Sequence, residues 1–254
     1  MKPAAPQHIT TIGFVSAPNW FDPAPAEFPN TVTERVKTQQ APLLLSNFDY
    51  LLANIAKTLP ELTNNAMCLR NMGCDVIAQV GSPFTWAHTP TEKQARERCE
   101  AIQNAAQRPV IMTGLSIVDA LRAGNIKNIA VNCTYYDAEW SKEFTTFLDN
   151  CGFTVMHSST LTEQGLGSIE SITDFGWNMT DELVKKSIES VARMAPKAEA
   201  IVVTGAGART FNIMTECELT TGRPIIAADT ALYWDIARTA GLSLTASMGH
   251  LATL

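Results

Sequence analysis

Apolar runs and amphipathic stretches alternate along the chain with few interruptions. Ile9–Ser16, Asp75–Val80, Val110–Met112, Asn128–Tyr136, Phe153–His157, Ala200–Thr204 and Ile225–Ala227 read as strands. Most are apolar throughout, as strands buried on both faces are. Thr31–Val36 alternates and is also predicted as a strand. Helical spacing runs through Phe48–Lys57, Glu61–Met72, Thr91–Gln107, Ser116–Ala123, Ala138–Asn150, Thr180–Met194, Arg209–Leu219 and Ala231–Ala240. Pro60 reads as a break, and Gly73, Gly124 and Gly152 as C-terminal stops. Leu161–Asn178 carries three glycines and no period, and is predicted as a long functional or mobile loop. The tail Ser243–Leu254 shows no clear pattern. Alternating strands and helices predict an α/β fold with parallel sheets covered on both faces. Ligands of such sheets bind at the carboxyl ends of the strands. The loops there are Ala17–Asp22, Gly81–His88, Thr113–Leu115, Cys133–Asp137, Gly205–Thr210 and Ala228–Thr230.

One of these loops organises the rest. The strand Ala200–Thr204 runs straight into Gly205–Ala206–Gly207. Such a turn leaves backbone N–H groups pointing outward and forms an anion cradle. An upstream counterpart, Asp75–Val80, ends in Gly81 and Ser82. Each copy is followed by a helix and a similar phrase, Gln107–Arg108–Pro109–Val110–Ile111 and Gly222–Arg223–Pro224–Ile225–Ile226. Each then has a helix with Asp and Arg in matching places, Asp119 with Arg122 and Asp235 with Arg238. This long-period duplication predicts two related halves, 1–124 and 125–254, with the last helix free to pack on the first. Gly81 and Gly205 would then be equivalent, with one pocket between them.

Composition narrows the partners. The chain has 254 residues, 46% of them hydrophobic and 17% charged, enough for a sizeable core. A net charge of −6 argues against nucleic acid and anionic membrane. The segment Met1–His8 lacks the apolar run of a signal peptide, and no stretch is long and apolar enough to span a bilayer. The six cysteines show no CxxC spacing, and free thiols in a reducing cytoplasm are expected rather than disulfides or a zinc site.

Several phrases resemble the aspartate/glutamate racemase superfamily, and more closely its arylmalonate decarboxylase and maleate isomerase branch. They are Thr11–Ile12–Gly13–Phe14–Val15, Val80–Gly81–Ser82, Arg108–Pro109–Val110, Ala130–Val131–Asn132–Cys133–Thr134–Tyr135, Thr204–Gly205–Ala206–Gly207, and Arg223–Pro224–Ile225–Ile226 with Trp234–Asp235. They span nearly the whole chain in order. The resemblance implies two pseudo-symmetric lobes around one site, each a parallel sheet flanked by helices. It also implies a departure. Racemases and maleate isomerases of this type carry a cysteine at both turns, and the decarboxylases keep the second. Gly81 and Gly205 occupy those positions here. What the resemblance carries over is carboxylate binding by Ser82 and Tyr135 and by the Gly205, Ala206 and Gly207 amides.

A general acid or base is still required. The candidates are His88, then Asp22 (otherwise an Asx turn before Pro23) and Asp229 (otherwise a helix N-cap). Cys133, beside Tyr135, could supply a displaced thiol, although such a cysteine is more often core. Arg209 could pair with a second substrate carboxylate. Trp20, Phe21, Trp86 and Tyr136 would wall the pocket. The resulting expectation is a cytoplasmic lyase without metal or organic cofactor. It would act on a small carboxylate through an enolate-like intermediate, with a homo-oligomer left open. An isomerase or hydrolase using the same cradle, a non-catalytic carboxylate binder, and a nucleotide binder at Gly205–Gly207 are the alternatives. The last lacks a full GxGxxG.

Overall fold

The computed structural model describes residues 8–167 and 179–254. Two four-stranded parallel sheets form the core. The first contains β1 (Thr11–Ser16), β2 (Lys37–Pro42), β3 (Val76–Gln79) and β4 (Val110–Met112), in the order β2-β1-β3-β4. The second contains β5 (Asn128–Thr134), β6 (Thr154–Thr160), β7 (Ala200–Val203) and β8 (Ile225–Ala227), in the order β6-β5-β7-β8. The two orders are the same, so the duplicated phrases correspond to duplicated sheets. Strands β3, β4, β7 and β8 are buried throughout, in keeping with runs that are apolar except for Gln79.

The helices are α1 (Ala24–Glu27), α2 (Leu52–Ile55), α3 (Leu59–Asn71), α4 (Pro83–Trp86), α5 (Glu92–Ala106), α6 (Thr113–Ala123), α7 (Ala138–Asn150), α8 (Asp181–Met194), α9 (Met214–Thr221) and α10 (Ala228–Ala240). Side-chain caps start three of them. Thr91, Asp137 and Thr180 accept from Gln94, Trp140 and Leu183. Helix α10 packs against α6 and against β3 and β4 of the first sheet. Inside that contact Ser116 Oγ donates to Asp235 Oδ2 at 2.9 Å. Beside it Arg96 and Arg238 bracket Asp119, at 2.6 and 4.0 Å.

Four expectations change. Thr31–Val36 is not a strand; Val32 makes one isolated bridge to Leu244 and β2 begins at Lys37. β2 is an edge strand with a polar sequence, half-buried along its length, so hydrophobic alternation points to the wrong segment. Within Phe48–Lys57 only Leu52–Ile55 is helical. Pro60 does not break α3 but sits in its first turn, where a missing N–H costs nothing. The Arg209–Leu219 helix begins only at Met214, because the Asp229 carboxylate holds the Thr210 and Phe211 amides in a loop. Of the Leu161–Asn178 loop, residues 168–178 lie outside the described residues. The tail folds as a 3-10 stretch, Ala246–Thr253.

Glu92 ties α5 to α6. Its Oε1 accepts from Arg122 Nη1 at 2.6 Å and from Arg96 Nε at 2.7 Å. The Arg122 hydrogen bond, more than any other influence, holds its carboxyl down at about 2. A depressed carboxylate contributes stability above its unfolded value and loses it as pH falls through the folded one. Glu92→Gln is therefore expected to cost about 1–2 kcal/mol at neutral pH. The deficit should be full above the ordinary value of 4.5 and should shrink toward about 2. Urea unfolding over that range checks this, and a pH-independent deficit would contradict it.

Candidate active site

Parallel strands put the ends of β3 and β7 on the carboxyl edges of their sheets, and each end turns on a glycine. Gly81 has φ +100° and Gly205 has φ +101°, values that favour a residue without Cβ. The two turns are thus backbone equivalents. Their flanking hydroxyls meet across the lobes. Ser82 Oγ lies 3.0 Å from Tyr136 Oη and 3.0 Å from Thr204 Oγ1, and Thr204 Oγ1 donates to Tyr136 Oη at 2.8 Å. All three residues are buried. A ring of three hydroxyls gives each oxygen one hydrogen to donate and one to accept, so burial leaves none unsatisfied.

Tyr135 lies beside this ring. Its Oη accepts from the Gly207 amide at 3.2 Å, with the Ala206 amide also near. Burial pushes the phenol up to about 12, so it keeps its proton. Among the described residues nothing accepts that hydrogen. A donor pinned by its own acceptor bond and left with an unspent hydrogen suits a ligand oxygen. Thr134 supports the turn. It adopts φ +47°, and its Oγ1 donates to the Thr204 carbonyl at 2.7 Å.

Sequence reasoning placed Ser82, Tyr135, Gly81, Gly205, Ala206 and Gly207 in one site, and the structure brings the second-lobe members together, with Ser82 reaching their neighbours. Other residues lie differently. Arg209 is not a free partner for substrate. Its Nη2 bonds Glu27 and the Tyr233 hydroxyl, its Nη1 donates to Ala206 O at 3.2 Å, and Asp22 and Asp229 lie at 3.7 and 4.0 Å. Asp229 does not cap its own helix. It accepts from Thr210 N, Thr210 Oγ1 and Phe211 N at 2.7, 2.6 and 3.2 Å. Asp22 forms the Asx turn, with Oδ1 accepting from Ala24 N at 2.8 Å. Its Oδ2 is buried with no hydrogen-bond partner, and burial raises its carboxyl above the usual range.

His88 is placed at the surface instead. Its amide donates to Glu143 at 3.2 Å, and with Trp86, Pro90 and Lys142 it lines an outward cavity of about 510 Å³. Cys133 is buried, and desolvation pushes its thiol up to about 12, with Ser141 the one group lowering it. A thiol held neutral there is no nucleophile. Phe21 is 74% exposed and walls nothing, while Trp86 and Tyr136 pack with Trp140 and Phe144 in the core. The residues missed were Thr204, Glu27 and Tyr233, and Tyr136 was expected as a pocket wall rather than as a member of the hydroxyl ring. The Tyr135–Tyr136 doublet and the hydroxyl before Gly205 were the visible signals. No cluster of three or more His, Cys, Asp or Glu able to hold a metal occurs among the described residues, and no helix there is long and apolar enough to cross a membrane.

The sequence model of the arylmalonate decarboxylase family matches residues 48–252. The arylmalonate decarboxylase of Bordetella bronchiseptica is 20% identical over 192 residues, 76% of this chain and 76% of its own. Among solved structures, maleate isomerase from Pseudomonas putida superposes with a TM-score of 0.82 at 17% identity, covering 96% of this chain and 98% of that one. Unliganded arylmalonate decarboxylase gives 0.79 at 18%, covering 96% and 99%. These likenesses share the two-lobed α/β fold found here.

The two glycines provide an internal control. Both share one φ, so an added Cβ strains both backbones by about 1–2 kcal/mol. At Gly81 the Cβ would meet the Phe84 ring at 3.2 Å. At Gly205 it would lie 2.7 Å from Tyr135 Cε1 and 2.8 Å from Thr134 Oγ1. A side chain at Gly205 therefore requires the Tyr135 ring or Thr134 to shift. Gly205→Ala is expected to cost about 2 kcal/mol more than Gly81→Ala in chemical denaturation. Equal losses would mean that the Tyr135 ring does not crowd that turn.

Proposed function

Because the chain belongs to the arylmalonate decarboxylase family, we propose that it is a lyase that removes a carboxyl group from a small substituted malonate through an enolate-like intermediate. The observation that carries this reading is the Tyr135 phenol, fixed by the Gly207 amide with its hydrogen unspent. When the bond between the α-carbon and the departing carboxyl breaks, its electron pair moves onto the remaining carboxylate. That carboxylate becomes an enediolate, with more charge on its oxygens than the ground state carries. A fixed O–H aimed at one of those oxygens favours the transition state over the substrate. At Gly205 the place a Cβ would take is filled by the Tyr135 ring and Thr134 Oγ1, so glycine there seats the phenol beside the amides.

An isomerase remains the second reading, since maleate isomerases share the fold. It is ranked lower on one observation. In one such relative, from Nocardia farcinica, a succinylcysteine intermediate is described. Here both turns carry glycine, and the nearby Cys133 thiol is held neutral by burial.

The test uses phenylmalonate, with carbon dioxide release as the readout. Tyr135→Phe is expected to lower kcat by about 10²–10³-fold, the loss typical of one preorganised donor, while leaving the thermal transition near that of the wild type. Wild-type turnover that is unchanged in Tyr135→Phe would remove Tyr135 from the mechanism. No release from phenylmalonate or its ring- and α-substituted analogues would remove the lyase reading.

A further inference from the structure

An enediolate must be protonated on carbon before it leaves, and the glycine turns carry no acid. Tyr135 is held near 12 and Tyr136 higher still, Cys133 is also near 12, and His88 is at the surface. A different group lies at the seam. Strand β1 pairs with β3, Val15 beside Gln79, so the loop that follows β1 opens next to the Gly81 turn. Asp22 ends that loop. One guanidinium nitrogen, Arg209 Nη1, approaches Asp22 Oδ1 at 3.7 Å and donates to Ala206 O at 3.2 Å. The Asp22 carboxyl is thereby tied to the second glycine turn, and its field reaches the Tyr135 phenol.

We propose that Asp22 holds a proton on its unpartnered Oδ2 and delivers it to the substrate α-carbon, in the place of a thiol. This rests on the lyase reading above. Charge is divided unevenly among the carboxylates here. Arg209 brings one positive charge against the three carboxylates of Asp22, Glu27 and Asp229. Asp229 is matched by three donors from Thr210 and Phe211. Glu27 accepts from Arg209 and from Tyr233 Oη at 2.8 Å. Asp22 accepts from one amide only, and its Oδ2 from nothing. Two buried carboxylates and a part-buried third about one cation are costly, so one carboxyl keeps its proton, and the least matched oxygen is where it belongs. Desolvation raises Asp22, Arg209 lowers it, and Glu27 and Asp229 raise it again. The groups facing it are Arg209 on the glycine loop, Glu27 on α1, Asp229 and Tyr233 on α10, and Tyr135 at the end of β5.

The step balances. The bond to the departing carboxyl breaks and carbon dioxide leaves with no electron pair. The pair resides in the enediolate. The Asp22 O–H bond breaks, a C–H bond forms, and water restores the carboxyl proton before the next turnover.

The probe is 2-methyl-2-phenylmalonate, whose product is chiral. Asp22→Asn keeps an oxygen for the Ala24 amide, so the turn is retained. Asp22 takes up a proton on folding, and wild-type stability should fall as pH rises through its folded-state titration. The Asn variant should not share that fall. For turnover, the variant is expected to lose about 10²-fold or more in rate and to give nearly racemic product, protonated by water. Binding of phenylacetate should be unchanged. Wild-type activity should decline as pH rises and the acid ionises, and its infrared spectrum at neutral pH should show a protonated carboxyl band that the variant lacks. Wild-type turnover with an Asn variant within about threefold and of equal enantiomeric excess would overturn the role of Asp22 and leave the lyase reading intact. A wild type that releases no carbon dioxide from the probe would overturn the lyase reading, and this proposal with it.

Discussion

Arg209 sets the terms on which the two lobes meet. Its guanidinium is largely buried and reaches Glu27 of the first lobe, Tyr233 and Asp229 of the last helix, and the carbonyl of the glycine turn from which it emerges. A buried cation must have its donors satisfied, and breaking such a network costs several kcal/mol. The first lobe is therefore held in register with the Gly205–Gly207 turn by charge, and the hydroxyl ring of Ser82, Thr204 and Tyr136 fixes the same seam by neutral hydrogen bonds. With both in place, Tyr135 has little freedom. The Gly207 amide holds its oxygen, and the absent Cβ of Gly205 makes room for its ring.

The same network leaves Arg209 little charge to spare for a ligand. Its charge is already shared among carboxylates, and a second substrate carboxylate would compete with Glu27. In the proposed reading, carboxylate recognition falls to neutral donors, a phenol and backbone amides. These lose less to desolvation than a cation and act most strongly where charge develops during reaction. The proton proposed for Asp22 would follow from the shortage of positive charge at this seam, which would give binding and proton transfer one electrostatic origin.

Much of this was legible in the chain. The apolar strands β3, β7 and β8 announce themselves because they are buried on both faces, and the repeated Arg–Pro–Val/Ile phrases mark the start of β4 and β8. Gly205 was singled out because a glycine turn after a strand has a local signature, and Tyr135 because of the resemblance to a known family. Edge strand β2 was missed because an edge needs no apolar alternation. The hydroxyl ring was missed for a different reason. Ser82 and Thr204 are 122 positions apart and Glu27 and Tyr233 206 apart, so their pairing exists only once the lobes have docked. His88 misled because its spacing after Gly81 fitted a catalytic loop. Once Trp86 and Ala87 are buried, the chain turns outward and His88 faces Glu143.

The central claim is that the seam between the glycine turns receives a carboxylate through Tyr135. A crystal structure with phenylacetate bound addresses it most directly. The account predicts a carboxylate oxygen within hydrogen-bond distance of Tyr135 Oη, beside the Gly205–Gly207 amides, with the Arg209–Glu27 pair undisturbed. Phenylacetate found instead in the outward cavity near His88 and Lys142, or bound at the seam by Arg209 with the Glu27 pair broken, would contradict it.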